Sequence, residues 1–149
     1  MQIHRTNTQV LALLLVISTF SACAQALSQN AVTTLDSTSW QLVKFQGSDD
    51  TTLTPDDRTK YTVTFNANGS VAARIDCNRG QGAWKSPGPN QLEVDPLALT
   101  RAMCPPGSLH DQIVKHWPFI RSYLIKDHHL FVSLLADGGI YEFEPMTAQ

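Results

Sequence analysis

The segment 60–77 restricts the fold more than any other part of the chain, because it contains the pattern of a complete β-hairpin. KYTVTF alternates apolar residues with threonines, and SVAARID alternates again after a break, which is the two-residue period that aims one set of side chains at a core. Between them, Asn68-Gly69 tolerates the positive backbone angles of a tight turn. The apolar side chains on the shared face are Tyr61, Val63, Phe65, Val71, Ala73 and Ile75. The segment therefore predicts two antiparallel strands with one buried face, ending at Cys77.

Further strand patterns lie on both sides of this hairpin. TSWQLVKF has large apolar residues in both alternating sets, so it predicts a strand buried on both sides, with Trp40, Leu42 and Lys44 on one side and Phe45 on the other. QLEVDPLAL predicts a further short strand. SYLIK, LFVSLL and IYEFE, separated by the turns DHH and ADGG, predict two or three strands in the last third, the closing one with a solvated face.

One helix is predicted between these regions, at about 108–117. Ser108 is placed to cap its first turn, and Asp111 stands where a capping box has Glu or Gln. An apolar stripe follows at three- and four-residue intervals. Pro118 ends or kinks the helix, because proline has no N–H to donate and clashes with the preceding turn. The residues of the stripe are Leu109, Ile113, Trp117 and Ile120.

Short strands in hairpin order with a single helix predict a mainly β fold of the α+β class. We expect a single small domain, built as a curled antiparallel sheet or partly closed barrel of about six to eight short strands. The helix is expected to plug or cover one end.

The N-terminal residues have the order of an export signal, 1–26. His4 and Arg5 precede an apolar run of about eleven residues, which is too short to span a membrane, and small residues follow. FSAC fits a lipobox loosely and would place lipidation at Cys23, whereas AQA fits cleavage after Ala26. Both alternatives stay open. After this signal, we expect a polar linker at 27–37 and a single domain at 38–145.

The three cysteines reduce to one available pair, because Cys23 is either lipidated or removed. In an oxidising compartment Cys77 and Cys104 are expected to form a disulfide. Closing a loop of roughly 28 residues would stabilise the fold by about 3 to 4 kcal/mol in the chain-entropy model.

Charge and spacing argue against several function classes. The chain has 11 Lys and Arg against 13 Asp and Glu, with a formal net charge of −2 and scattered basic residues, so nucleic acid is not expected as a partner. The aspartates of GSDDTTLTPDDRT lack calcium-loop spacing, which favours a solvated loop. We expect no metal and no cofactor, because the histidines fit solvated positions better than a ligand set. They are His110, His116, His128 and His129.

Cys104, His110 and Asp111 are the residue types of a thiol hydrolase and lie close together in the sequence. Such a site needs a free thiolate with a base in reach. A sulfur bonded to Cys77 is not free, and His110 is expected to be exposed. We therefore expect no catalytic residue.

The stretch IDCNRGQGAW contains the candidate surface-binding residues Arg79, Gln81 and Trp84. Its two glycines, Gly80 and Gly82, lack the lysine and helix start of a phosphate loop, so they indicate a bend at a strand edge instead. The longer segment RGQGAWKSPGPN is a candidate exposed loop.

From Trp40 to Phe143 the chain resembles the META domain family, which includes HslJ-like heat-shock lipoproteins. The pairing of Cys77-Asn78 with a downstream T-x-x-M-C is the most specific part of the resemblance. Three positions depart from the family's pattern, with Ala73 and Asp76 at frequent glycines and Trp84 at the commoner tyrosine. The other matching residues are Leu42, Phe65, Gly69, Gly80 or Gly82, Leu92, Thr100, Met103 and Cys104.

The resemblance implies a small exported β domain of the Gram-negative envelope, in the periplasm or lipid-anchored at the outer membrane, with no established catalytic residue. It implies an association with stress or drug tolerance, and with secretion or motility in some members. We expect a non-enzymatic accessory protein that binds an envelope partner. The alternatives are an inhibitor of a cell-wall-degrading enzyme and a binder of a small apolar ligand or lipid.

Overall fold

The structure is a computed structural model that describes residues 34–146. These residues contain ten β-strands, one α-helix and three short 3-10 helices. The strands are β1 (Thr38–Gln46), β2 (Thr52–Leu53), β3 (Tyr61–Phe65), β4 (Ser70–Ile75), β5 (Asn78–Lys85), β6 (Glu93–Val94), β7 (Ala98–Leu99), β8 (Ile120–Lys126), β9 (His129–Leu134) and β10 (Ile140–Pro145). The helix is α1 (His110–His116), and the 3-10 helices are Arg58–Lys60, Trp117–Phe119 and Leu135–Asp137.

The strands form one antiparallel sheet in the order β6-β5-β4-β3-β1-β10-β9-β8, with β2 beside β1 and β7 beside β5. The two ends of this order meet, because the Leu92 amide donates to the Arg121 carbonyl at 3.0 Å and the Tyr123 amide donates to the Asn90 carbonyl at 2.8 Å. The sheet is therefore nearly closed into a barrel. The predicted fold class is confirmed, and the main path has eight strands, with two-residue β2 and β7 as additions.

The predicted hairpin is confirmed in its register. β3 and β4 pair from Tyr61 opposite Ile75 to Phe65 opposite Val71, and every predicted apolar residue of the shared face is buried. Gly69 supplies the one positive φ of the turn, at 80°, a backbone conformation that favours glycine.

β1 differs from its predicted pattern because of a β-bulge. The register with β10 shifts between Leu42 and Lys44, so the alternation resets and Phe45 faces the same interior as Trp40 and Leu42. Two-sided burial was therefore the wrong interpretation of this strand. Lys44 lies outside and pairs with Glu142 at 3.4 Å.

The helical segment is shorter than predicted but packs as expected. α1 spans only seven residues. It ends where the 3-10 helix Trp117–Phe119, which contains Pro118, begins. At its start, the Ser108 hydroxyl accepts the His110 amide at 3.1 Å from outside the helix. Asp111 pairs with its neighbour His110 and forms no capping box. Ile113 and Trp117 face the same interior as Leu42 and Val132, so the segment covers the barrel core.

The export signal, Cys23 and most of the linker 27–37 lie outside the described residues. Leu35, at the end of that linker, is buried with 1% of its surface exposed, and its carbonyl accepts the Thr38 amide at 3.1 Å. Within the described range, no helix has the length and apolar character needed to cross a bilayer.

Candidate functional site

A disulfide joins Cys77, just before β5, to Cys104, in the segment between β7 and α1, with 5.4 Å between the Cα atoms. The expected staple is therefore present in the structure. It attaches the segment 100–104 covalently to the start of β5, and we call this segment the pinned loop.

Asn78 holds the pinned loop from the inside. Its side chain is fully buried, and its Oδ1 accepts both the Ala102 amide and the Thr100 hydroxyl at 2.8 Å. Its Nδ2 donates to the Ala102 carbonyl at 2.9 Å. The amide side chain thus binds Ala102 as a neighbouring strand would, and the loop backbone is satisfied without strand pairing.

Thr100 extends this connection to Arg79. Its hydroxyl accepts the Arg79 amide at 3.0 Å, and its own amide donates to the Arg79 carbonyl at 2.9 Å. Arg79 also lies opposite Arg74 in the pairing of β4 with β5. The backbone of Arg79 is therefore fixed on both sides, while its side chain is exposed.

Arg79 and Gln81 lie on the outer side of the sheet, at a groove of about 490 Å³. We call it the outer groove. Short side chains from β3, β4 and β7 keep it open. Its lining residues are Thr62, Thr64, Ala72, Ala73, Arg74, Arg79, Gly80, Gln81, Ala98 and Thr100.

Gly80 allows β7 to approach this wall of the groove. A Cβ on Gly80 would lie 2.6 Å from Leu99 Cδ2, closer than carbon atoms pack, so a side chain here would force the Leu99 side chain to move. The predicted bend at a strand edge was wrong, because Gly80 and Gly82 lie inside the continuous strand β5, whose register with β4 is unbroken.

The two arginines of the groove differ in their partners. Arg74 donates from Nε to the Asp76 carbonyl at 3.2 Å and from Nη1 to the Thr59 carbonyl at 3.3 Å. Its charge also contributes to lowering the pKa of Asp57, after the larger effect of the Thr59 hydrogen bonds to that carboxylate. The guanidinium of Arg79 has no hydrogen-bonding or ion-pair partner among residues 34–146.

Trp84 does not belong to this surface, and its assignment as a surface-binding residue was wrong. Only 8% of the residue is exposed. Its indole Nε1 donates to the Asn66 carbonyl at 3.1 Å, and its ring meets the Phe65 ring edge-on at 5.2 Å between centroids. Every second residue of β5, counted from buried Asn78, lies on the inner side of the sheet, and Trp84 is one of these residues. Arg79 and Gln81 lie on the outer side.

The segment RGQGAWKSPGPN is mostly strand and not the exposed loop that the sequence suggested. β5 continues to Lys85, where Lys85 pairs with Glu93 at 2.8 Å. Only residues 86–90 form a turn outside the strand. The candidate binding surface is therefore the outer face of a regularly paired strand.

The histidines are less solvated than predicted. Only His128 is exposed in its turn, because His129 bonds Glu142 at 2.7 Å. His110 is partly buried, with Nδ1 2.9 Å from Asp111 and a buried, unpartnered Nε2, so the expectation that it is exposed was wrong. Within the described range, no group of histidine, cysteine and acidic residues is placed to hold a metal ion.

His116 is held between the helix and the sheet. Its Nε2 lies 2.8 Å from Gln112 Nε2 and its Nδ1 lies 2.8 Å from the Tyr141 hydroxyl. With the Gln112 amide nitrogen as the donor, Nε2 accepts and Nδ1 carries the proton. Burial, and secondarily the charge of Lys115, lowers the pKa of His116, and burial raises the pKa of Tyr141.

Two further features bear on function. The barrel interior contains a cavity of only about 40 Å³. Met103, in contrast, is 98% exposed although the residues around it in the pinned loop are held by Asn78 and the disulfide. The sequence placed Met103 only within a family pattern. Nothing in its local spacing indicated that it points into solvent.

Comparison with known proteins gives a family and a fold. The family model of the META domain matches residues 33–143. A protein from Burkholderia xenovorans, solved by NMR, is similar over 76% of this chain and 85% of its own, with a TM-score of 0.65 and 22% identity. A DUF4847 family protein from Bacteroides vulgatus ATCC 8482, known from a crystal structure, is similar over 76% of this chain and 95% of its own, with a TM-score of 0.55 and 14% identity. No curated protein matches the chain.

Proposed function

The chain belongs to the META domain family, and we propose that it is an exported, non-enzymatic envelope protein that binds a partner protein through the outer groove. The observation that carries this proposal is the placement of Arg79. Its backbone is fixed by Thr100 and by β4, and its exposed guanidinium forms no hydrogen bond or ion pair with the described residues. Arginine is enriched among the anchor residues of protein interfaces, and the fixed backbone of Arg79 limits the positions that its guanidinium can reach.

The disulfide supports the exported location, because such bonds persist in oxidising compartments. Whether Cys23 carries a lipid anchor or cleavage after Ala26 releases the protein stays a prediction. The non-enzymatic assignment is supported by the disulfide as well, since it occupies both cysteine sulfurs of the described range, and a thiol hydrolase needs a free one.

The filled interior favours a partner over a small apolar ligand or lipid. Ligand sites typically have volumes of about 300 Å³ or more, several times the interior cavity of about 40 Å³. Inhibition of a wall-degrading enzyme is one form that partner binding would take, but the segment suggested for it is largely a strand. The outer groove replaces that segment as the binding surface.

Capture from envelope extract tests the proposal. The processed protein, purified from the envelope of the producing cell, is immobilised as wild type, Arg79→Gln and Lys85→Gln. Both variants remove one positive charge from the outer side of β5, so Lys85→Gln is the matched control. We expect a protein retained by wild type and Lys85→Gln and lost by Arg79→Gln. Equal retention by all three would contradict the proposal.

A further inference from the structure

Resting on the proposed function, we infer that the outer groove accepts an acidic segment of the partner protein, with an aspartate or glutamate carboxylate bound to the Arg79 guanidinium. A guanidinium has five N–H donors in a planar fork that matches a carboxylate. None of those of Arg79 is used within residues 34–146, and the backbone that bears them is fixed.

The groove brings two positive charges together. Among the described residues, Arg74 acts on the carboxylate of Asp57, whose pKa it helps to lower, after the larger effect of the Thr59 hydrogen bonds, without forming a salt bridge. Arg74 and Arg79 are directly opposite each other across β4 and β5, a like-charge pair that lowers the stability of a sheet. Arg74 turns to two backbone carbonyls, and no carboxylate forms a salt bridge with either arginine in the described range. Lys44, Lys60 and Lys85 do pair with acids. Arg101, Lys115 and Lys126, however, resemble Arg79 in forming no salt bridge within the described range, so the direct opposition of Arg74 and Arg79 is what distinguishes the groove. An incoming carboxylate would remove the repulsion.

The rest of the groove fits an extended peptide. The floor has alanines at Ala72 and Ala98, which leave room for a main chain. The hydroxyl of Thr62 and the amide of Gln81 supply donors and acceptors for peptide groups. A binding surface of this kind uses the arginine for affinity and the polar neighbours for orientation.

Other anionic partners fit the surface less well. Anionic membranes are bound by clusters of about 4 to 8 basic residues, and the groove has two arginines. Nucleic acid requires many phosphate contacts, whereas this chain has a net charge of −2. Sugar rings are commonly bound by stacking on aromatic side chains, and the groove is lined by none.

The test uses hexaglutamate as the probe. Hexalysine is the control of opposite charge, and polygalacturonate, an anionic glycan, represents a ligand of another chemical class. The side-chain Nε–Hε resonance of Arg79 is followed in the ¹⁵N spectrum of the processed protein at low salt, and is assigned by its loss in Arg79→Gln. We expect it to shift with hexaglutamate and not with hexalysine. Arg79→Gln should weaken hexaglutamate binding about tenfold or more, as expected for a charge-assisted hydrogen bond. Arg79→Lys should give an intermediate loss, because a lysine keeps the charge without the fork.

Several outcomes would overturn the inference. The first is that Arg79→Gln binds hexaglutamate as tightly as wild type does. The second is that the Arg79 resonance shifts equally with hexalysine, and the third is that it shifts with polygalacturonate and not with hexaglutamate. Lys85→Gln should bind hexaglutamate and melt as wild type does, since Lys85 is exposed. Arg79→Gln should stay folded and melt at or slightly above wild type, because it removes the repulsion from Arg74. Envelope capture that depends on Arg79, with no response to hexaglutamate, overturns the acidic-segment inference and leaves the proposed function standing. A response to hexaglutamate without Arg79-dependent capture overturns the proposed function.

Discussion

The side chain of Asn78 binds both polar atoms of the Ala102 peptide, accepting the amide at 2.8 Å and donating to the carbonyl at 2.9 Å. This pair connects β5 to the pinned loop, and through Thr100 it also fixes the backbone of Arg79. The same buried amide therefore supports both the stability of the loop and the position of the proposed anchor.

Asn78→Ala should lower the free energy of unfolding by about 2 to 4 kcal/mol, because the polar groups of Thr100 and Ala102 lose their buried partner. Urea unfolding with the disulfide intact measures it. Gln81→Ala serves as the control and should stay within about 0.5 kcal/mol of wild type, since Gln81 is exposed. A value for Asn78→Ala as small as that of Gln81→Ala would contradict the role assigned to Asn78.

Loss of the disulfide should cost about 3 to 4 kcal/mol in the double variant Cys77→Ser/Cys104→Ser, because the unfolded chain regains the entropy of the open loop. Thermal and urea unfolding give this value. Reductant should destabilise wild type by a similar amount and leave the double variant unchanged. If reductant has no effect on wild type, the Cys77–Cys104 bond is not formed in the purified protein.

Stability should fall on acidification in a way that depends on His116. Burial holds the pKa of His116 below its usual value of 6.5. The unfolded state therefore binds more protons than the folded state between the folded pKa and pH 6.5, and stability is lost as the pH falls through this interval. Of the charged groups nearby, Lys115 acts in the same direction, and Asp49 lines the same surface hollow.

Urea unfolding at about pH 7.5 and about pH 5.5 tests this dependence. His116→Gln should reduce the loss of stability between the two values. His128→Gln should leave it unchanged, because His128 is exposed in its turn. An undiminished loss in His116→Gln would assign the pH dependence to other groups.

Met103→Ser should leave stability within about 0.5 kcal/mol of wild type, because Met103 is 98% exposed. It should nevertheless weaken capture of the envelope partner, since Met103 lines a neighbouring surface hollow that shares Ala98 and Thr100 with the outer groove. Thermal melting and the capture experiment measure the two effects. Ala102→Ser, an exposed change in the same loop, should alter neither. Unchanged capture with Met103→Ser would restrict the binding surface to the arginine side of the groove.

Local patterns predicted the hairpin and the helical region, because both depend on the spacing of neighbouring residues. The pattern Tyr61-x-Val63-x-Phe65 needs only the two-residue period, and Pro118 acts on the turn that contains it. The bulge near Leu42 was missed because it depends on pairing with β10, about 100 residues later in the chain.

The candidate site was predicted in part. Arg79 and Gln81 lie on the surface as the sequence indicated, whereas Trp84 is buried because it shares the inward parity of Asn78 in β5. The even spacing between Asn78 and Trp84 can be counted in the sequence, but it predicts that the two side chains share one face only if 78–85 is known to be a continuous strand. The contact between Asn78 and Ala102 joins residues 24 apart and has no local signal.

Photo-crosslinking tests the placement of the partner most directly. A benzophenone amino acid is introduced at Gln81, in the outer groove, and separately at Leu124, which is 48% exposed on β8. After irradiation in intact envelopes, we expect an adduct with an envelope protein from the Gln81 position, weakened by Arg79→Gln, and none from Leu124. An adduct from Leu124 and none from Gln81 would contradict the assignment of the outer groove as the binding surface.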